Sequence, residues 1–237
     1  MAGVIIPLDV PTRELALGLV DTLGDRVDFY KVGLELYTAE GPAMVSTLRD
    51  RGKRVFLDLK LHDIPSTVAG AVRTAAVSGA DLLTVHATGG RAMMEAAVEA
   101  AREAADGGSA IRLLAVTILT SSSAADVESA WGRTIHSLRE EVVRLATLGA
   151  EAGVHGAVAS ALEAATLRRQ LGPDFLLVTP GIRLEGGDRH DQARVATPDA
   201  AVEAGSDYLV VGRAVTAAPD PVAALGELHA RMAEGGA

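Results

Sequence analysis

Eight short runs of β-branched and other apolar residues, separated by stretches with helical spacing, constrain this chain more than any other feature. They span residues 4–9, 27–33, 54–60, 82–87, 113–120, 156–160, 175–180 and 208–212. The runs are nearly continuous in apolar residues, as in parallel strands covered on both faces; a half-exposed antiparallel strand would alternate. Between them, Val68, Val72, Ala75 and Ala76 share one helical stripe, and Met93, Ala97, Ala100 and Ala104 share another. Gly52, Gly79, Gly149 and Gly205 stand where those helices are expected to stop. Each strand and helix pair is about one βα unit long. Eight such units, with no Pro/Ser-rich linker between them, predict an α/β fold: a single-domain (β/α)8 TIM barrel over residues 1–237. An open, doubly wound sheet is the alternative. Its Gly-x-Gly-x-x-Gly turn after the first strand is absent, since Asp9-Val10-Pro11-Thr12 stands there.

A chain of 237 residues can bury a sizeable core. It contains no cysteine, which excludes a disulfide framework, a thiolate nucleophile and Cys-ligated metal, and fits a reducing compartment. With 22 basic and 31 acidic residues the net charge is −9, which argues against broad binding to nucleic acid or to a membrane surface. The first residues carry no basic leader, and Pro7 breaks their short apolar run. No apolar run reaches the ~18 residues of a membrane span. The expectation is a cytoplasmic protein in which any anionic ligand is held by a few local cations.

Barrel enzymes carry their chemistry at the C-terminal ends of the strands. Here those ends are unusually charged. The first run ends in Asp9, the second contains Tyr30-Lys31-Val32-Gly33, and the third leads into Asp58-Leu59-Lys60-Leu61-His62-Asp63. Later ends add His86, Thr117, Thr120, Pro180-Gly181-Ile182-Arg183 and Gly212-Arg213. In an extended strand residues i and i+2 share a face, so Asp58 and Lys60 are expected to project together while Leu57 and Leu59 face the helices. An isolated Asp-x-Lys is most often a solvated surface pair. At the end of an apolar strand, beside Asp9 and Lys31, it predicts an array of alternating charges in which a lysine can deliver a proton to a developing carbanion.

The ends of the seventh and eighth strands commonly bind phosphate in such barrels. Gly181 and Gly212 let backbone approach an anion, and Arg183 and Arg213 add charge-assisted hydrogen bonds. The polar stretch 183–192, with Gly186-Gly187, reads either as a flap that closes over a ligand or as a plain surface loop.

These segments, in order, resemble the orotidine 5′-phosphate decarboxylases of bacteria. The likeness rests on Asp58-Leu59-Lys60-Leu61-His62-Asp63-Ile64-Pro65-Ser66-Thr67, with Tyr30-Lys31-Val32-Gly33 before it and Leu119-Thr120-Ser121, Pro180-Gly181-Ile182-Arg183 and Val211-Gly212-Arg213 after it. The Asp-x-Lys-x-x-Asp element alone is shared with a wider group of phosphate-binding barrels. The resemblance implies decarboxylation of orotidine 5′-phosphate to uridine 5′-phosphate without metal or cofactor, in a homodimer. It implies that Lys60 protonates C6, that Asp58 lies near the substrate carboxylate, and that Lys31 completes the array. Asp63 and Thr67 would reach the partner's active site. Asp9 and Lys31 would contact the ribose hydroxyls, Thr120 and Ser123 the pyrimidine, and Arg183, Gln192, Gly212 and Arg213 the phosphate. Two departures stand out. Ser66 occupies a position where the family commonly has Asn, and Ser121-Ser122-Ser123 is a plain form of a segment that often includes Met. Neither removes a charge.

Two rivals are worth separating. A magnesium-dependent decarboxylase of 3-keto-gulonate 6-phosphate shares the third-strand element, but its chemistry wants a carboxylate where Lys31 stands. A non-catalytic phosphate-binding barrel would need Arg183 and Arg213 but has no use for alternating charges at the mouth. His62 and His86 with Asp58 or Glu35 form no recognisable metal motif. Trp131, His136, His155 and His229 read as packing or surface residues, and Met93-Met94 as core filling.

Overall fold

The computed structural model describes residues 2–184 and 195–236. Eight parallel strands close into a barrel in sequence order, with β1 paired to both β2 and β8. They are β1 Gly3–Pro7, β2 Phe29–Gly33, β3 Arg54–Leu61, β4 Leu82–His86, β5 Arg112–Val116, β6 Gly156–Val158, β7 Leu176–Thr179 and β8 Tyr208–Val210. Each expected run therefore overlaps a strand. The fifth and sixth strands stop earlier than their apolar runs: the Thr117 hydroxyl bonds the Val158 carbonyl, and Ser160 caps the helix Ala161–Leu171.

Two apolar layers divide the residues of each strand by parity. One set fills the barrel interior: Ile5, Phe29, Phe56, Leu82, Leu114, Val178 and Val210. The other set, including Ile6, Tyr30, Leu57, Leu83, Leu113 and Leu209, packs against the helices. The expected helix stripes are in place, with Val68, Val72, Ala75 and Ala76 buried on the helix Pro65–Val77, and Met93, Ala97 and Ala100 on Arg91–Asp106. One expected helix stop is corrected. Gly149 lies inside the helix Leu138–Glu151, where a Cβ would meet Val154 Cγ2 at 2.9 Å and Ala115 Cβ at 3.0 Å. Close packing on β5 explains that glycine, and the chain turns instead at Gly153, whose φ is 87°.

Among the described residues, no helix is long and apolar enough to cross a membrane.

Candidate active site

At the C-terminal ends of the strands a cavity of about 580 Å³ opens. Its interior-facing positions continue the parity of the core, but the apolar layer gives way to charge. Lys31 stands two residues beyond Phe29, and Asp58 two beyond Phe56. Lys31 is buried to 9% exposure and donates to Asp9 Oδ1 at 2.8 Å; its Nζ also lies 3.8 Å from Asp58 Oδ2. Lys60 Nζ donates to that same Asp58 Oδ2 at 2.8 Å. The result is a continuous chain, Asp9, Lys31, Asp58, Lys60, in which each inner charge touches opposite charges. Removing such groups from water is costly unless they are paired.

The register of β3 departs from simple alternation. Leu57 pairs with Leu83, but the next pair is Leu61 with Val85, so Asp58, Leu59 and Lys60 stand opposite Thr84 alone. This bulge places Lys60 at φ 51°, the one positive φ found outside glycine among the described residues. The Lys60 amide donates to Thr84 Oγ1 at 2.8 Å, and the Thr84 hydroxyl donates to Asp58 Oδ1 at 3.0 Å.

Opposite this array, Gly181, Arg183, Gly212 and Arg213 line the cavity. Gly181 has φ 78°, a left-handed conformation that favours glycine. Gly212 is different: its φ is −88°, and a Cβ would approach Pro7 Cγ to 3.4 Å. Arg183 donates to the Ile182 carbonyl, and a bridge between Ile182 and Ala196 joins the two ends of the following segment. Gln192 and most of the expected flap, residues 185–192, lie outside the described residues.

Thr120 is buried at 9% exposure and lines the cavity with Ser121. Ser123 does not line it. Its hydroxyl accepts from the Asp126 amide and donates to the Asp126 carboxylate, the capping box of the helix Ala124–Trp131. Asp63 and Thr67 also lie outside this cavity. Both are exposed, and Asp63 accepts the Ile64 amide at 2.6 Å. Asp63 borders a shallow hollow on the outer rim with His62, Ile64 and Gly89, where Ile64 is 64% exposed.

His86 ends β4 with its ring centroid 5.5 Å from that of His62. Burial holds its imidazole below the usual range, and His62 and Lys60 add to the effect against a weaker opposing pull from Asp58. Among the described residues no group of three or more His, Asp or Glu is arranged to hold a metal ion.

Sequence reasoning did not pick out Thr84. The alternation Leu82, Thr84, His86 on the inner face of β4 carried the signal, but the bulge that brings its hydroxyl to Lys60 has no such mark in the sequence.

Residues 3–228 match the family model described as orotidine 5′-phosphate decarboxylase / HUMPS family. The chain is 48% identical over 231 residues to the orotidine 5′-phosphate decarboxylase of Moorella thermoacetica, covering 97% of this chain and 91% of that protein. It is also 48% identical over 237 residues to the enzyme of that name from Thermobifida fusca, covering 100% of this chain and 98% of that protein. The crystal structure of orotidine 5′-phosphate decarboxylase from Lactobacillus acidophilus superposes with a TM-score of 0.87 at 37% identity, covering 98% and 99% of the two chains.

Proposed function

The chain belongs to the orotidine 5′-phosphate decarboxylase / HUMPS family and is a carboxy-lyase, and on that premise we propose that the charged mouth of its barrel converts orotidine 5′-phosphate to uridine 5′-phosphate and carbon dioxide in pyrimidine biosynthesis. The observation that carries this reading is the alternating chain of Asp9, Lys31, Asp58 and Lys60 facing, across one cavity, the two glycines and two arginines at the ends of β7 and β8.

The phosphate sits against Gly181, Arg183, Gly212 and Arg213, and the family resemblance assigns Gln192 to it as well. Asp9 and Lys31 hold the ribose hydroxyls, and Thr120 faces the pyrimidine, to which the family resemblance also assigns Ser123. The bond between C6 and the carboxylate then breaks, carbon dioxide departs, and the electron pair remains on C6. The ring offers this vinylic carbanion no resonance, so its stabilisation comes from the ammonium of Lys60, fixed beforehand by Asp58. The Lys60 ammonium then supplies the proton that C6 takes up. Binding energy from the remote phosphate orders the site around the reacting carbon.

The active form is a homodimer in the cytoplasm. Asp63 and Thr67, exposed on the rim, are the residues one protomer hands to its partner, and Asp63 there joins the array around the partner's lysine.

A loss of orotidine absorbance on adding the protein tests the reaction directly. Lys60→Ala is expected to remain folded and dimeric and to lose nearly all turnover; near-normal activity would overturn the mechanism. Full turnover in excess chelator is expected, and its loss would revive the magnesium-dependent alternative.

A further inference from the structure

We propose that Thr84 is a positioning residue whose hydroxyl sets the geometry between Asp58 and Lys60, an inference that rests on the function proposed above. Three residues of β3 stand opposite this single residue of β4, because the pairing passes from Leu57 with Leu83 directly to Leu61 with Val85. A regular parallel ladder would give the Lys60 amide a backbone carbonyl on β4. The bulge withdraws that partner, and the Thr84 hydroxyl replaces it at 2.8 Å.

The direction of the bonds follows from proton counting. The Lys60 amide can only donate, so Thr84 Oγ1 accepts there, and its single proton is left for Asp58 Oδ1 at 3.0 Å. One buried oxygen, at 0% exposure for the residue, thus ties the backbone of the lysine to the carboxylate of the aspartate. This has two effects. It anchors Lys60 in the left-handed conformation at φ 51°, which a side-chain-bearing residue keeps only when its surroundings hold it there. It also occupies Oδ1 of Asp58, which leaves Oδ2 turned to the two ammonium groups, Lys60 at 2.8 Å and Lys31 at 3.8 Å. Thr84 does not line the cavity, so its influence on a bound substrate passes through Lys60 and Asp58. A hydrogen bond of this type costs most when one member is removed and the others stay buried.

The test is steady-state kinetics on Thr84→Val and Thr84→Ser, with Thr179→Val as a control. Valine keeps the shape of threonine and removes the hydroxyl; serine keeps the hydroxyl and removes the methyl. Thr179 is a second buried strand threonine, whose hydroxyl bonds Ser206 away from the cavity. Thr84→Val is expected to lower kcat about 10- to 100-fold with KM within about 3-fold, and Thr84→Ser to return kcat to within about 3-fold of the wild type. Thr179→Val is expected to keep wild-type kcat even where it lowers thermal stability. Wild-type kcat in a folded Thr84→Val protein would overturn the inference, as would an equal kcat loss in Thr84→Ser and Thr84→Val. If Thr84→Val fails to fold, Thr84→Ser with a loss of more than about 10-fold in kcat would equally overturn it. An inactive wild type would instead remove the proposed function.

Discussion

At the floor of the barrel, where the strands begin, charged side chains are tied to the backbone. Arg168 donates to the carbonyls of Gly172, Pro173, Phe175 and Gly205 and to the carboxylate of Asp207 at 2.6 Å. Asp207 in turn accepts the Leu177 amide at 2.7 Å. The same device recurs at β3 and β4, where Asp81 accepts the Val55 amide and pairs with Arg49. A neutral counterpart stands at β5 and β6, where His155 Nδ1 accepts the Leu113 amide at 3.0 Å. At the mouth the arrangement is reversed. Asp9, Lys31, Asp58 and Lys60 bond chiefly to one another, the ladder between β3 and β4 is interrupted, and Lys60 is held at positive φ. The floor uses charge to lock strands in register; the mouth holds charge ready at the expense of regular structure. Substitutions at the two ends should therefore separate activity from stability.

The largest effect expected is on activity. Asp58→Asn keeps the shape of the side chain but removes the charge between two ammonium groups, and should lower kcat by about 10³-fold or more while thermal unfolding stays close to wild type. Enzyme assay and calorimetry on one preparation check both halves. The opposite pattern is expected at the floor. Arg168→Met leaves four carbonyls and Asp207 without their donor, which should cost about 3 kcal/mol and lower Tm by about 10 °C, with kcat of the folded protein unchanged. A fall in kcat without a fall in Tm would break the comparison. A smaller effect should follow Asp9→Asn, since Asp9 is exposed at the edge of the array: KM rises about 3- to 10-fold with little change in kcat.

The mildest test uses pH. Burial holds His155 below its ordinary value of 6.5, with Arg112 and Arg102 adding to the effect. The unfolded chain thus binds more protons than the folded one below that value. The stability His155 contributes is complete above 6.5 and is lost as pH falls through its lowered folded value. His86 acts in the same direction at the mouth. In His155→Asn, where the side-chain oxygen can accept the Leu113 amide, Tm should depend less on acid pH than in the wild type. An unchanged dependence would assign the effect to His86 or elsewhere.

Much of the barrel was legible in the sequence because parallel strands covered on both faces must be apolar without interruption, and the eight runs show that directly. The position of Asp9, Lys31, Asp58 and Lys60 at the ends of the first three runs likewise placed the charges at one mouth. What escaped were features that depend on neighbours across the sheet. Gly149 reads as a helix stop until its contact with Ala115 is known, and nothing in Asp58-Leu59-Lys60 marks the bulge that recruits Thr84. Ser123 was open to a second reading, since Ser123-Ala124-Ala125-Asp126 has the spacing of a capping box, and its hydroxyl is engaged there.

The central claim is that the conformation of Lys60 is kept for chemistry and not for stability. Lys60→Gly tests it most directly, because glycine adopts φ 51° without strain and deletes the ammonium. The measurement is the midpoint of thermal unfolding. A Tm within about 3 °C of the wild type, or above it, is predicted; a fall of about 10 °C, the size expected from breaking the floor, would contradict the account.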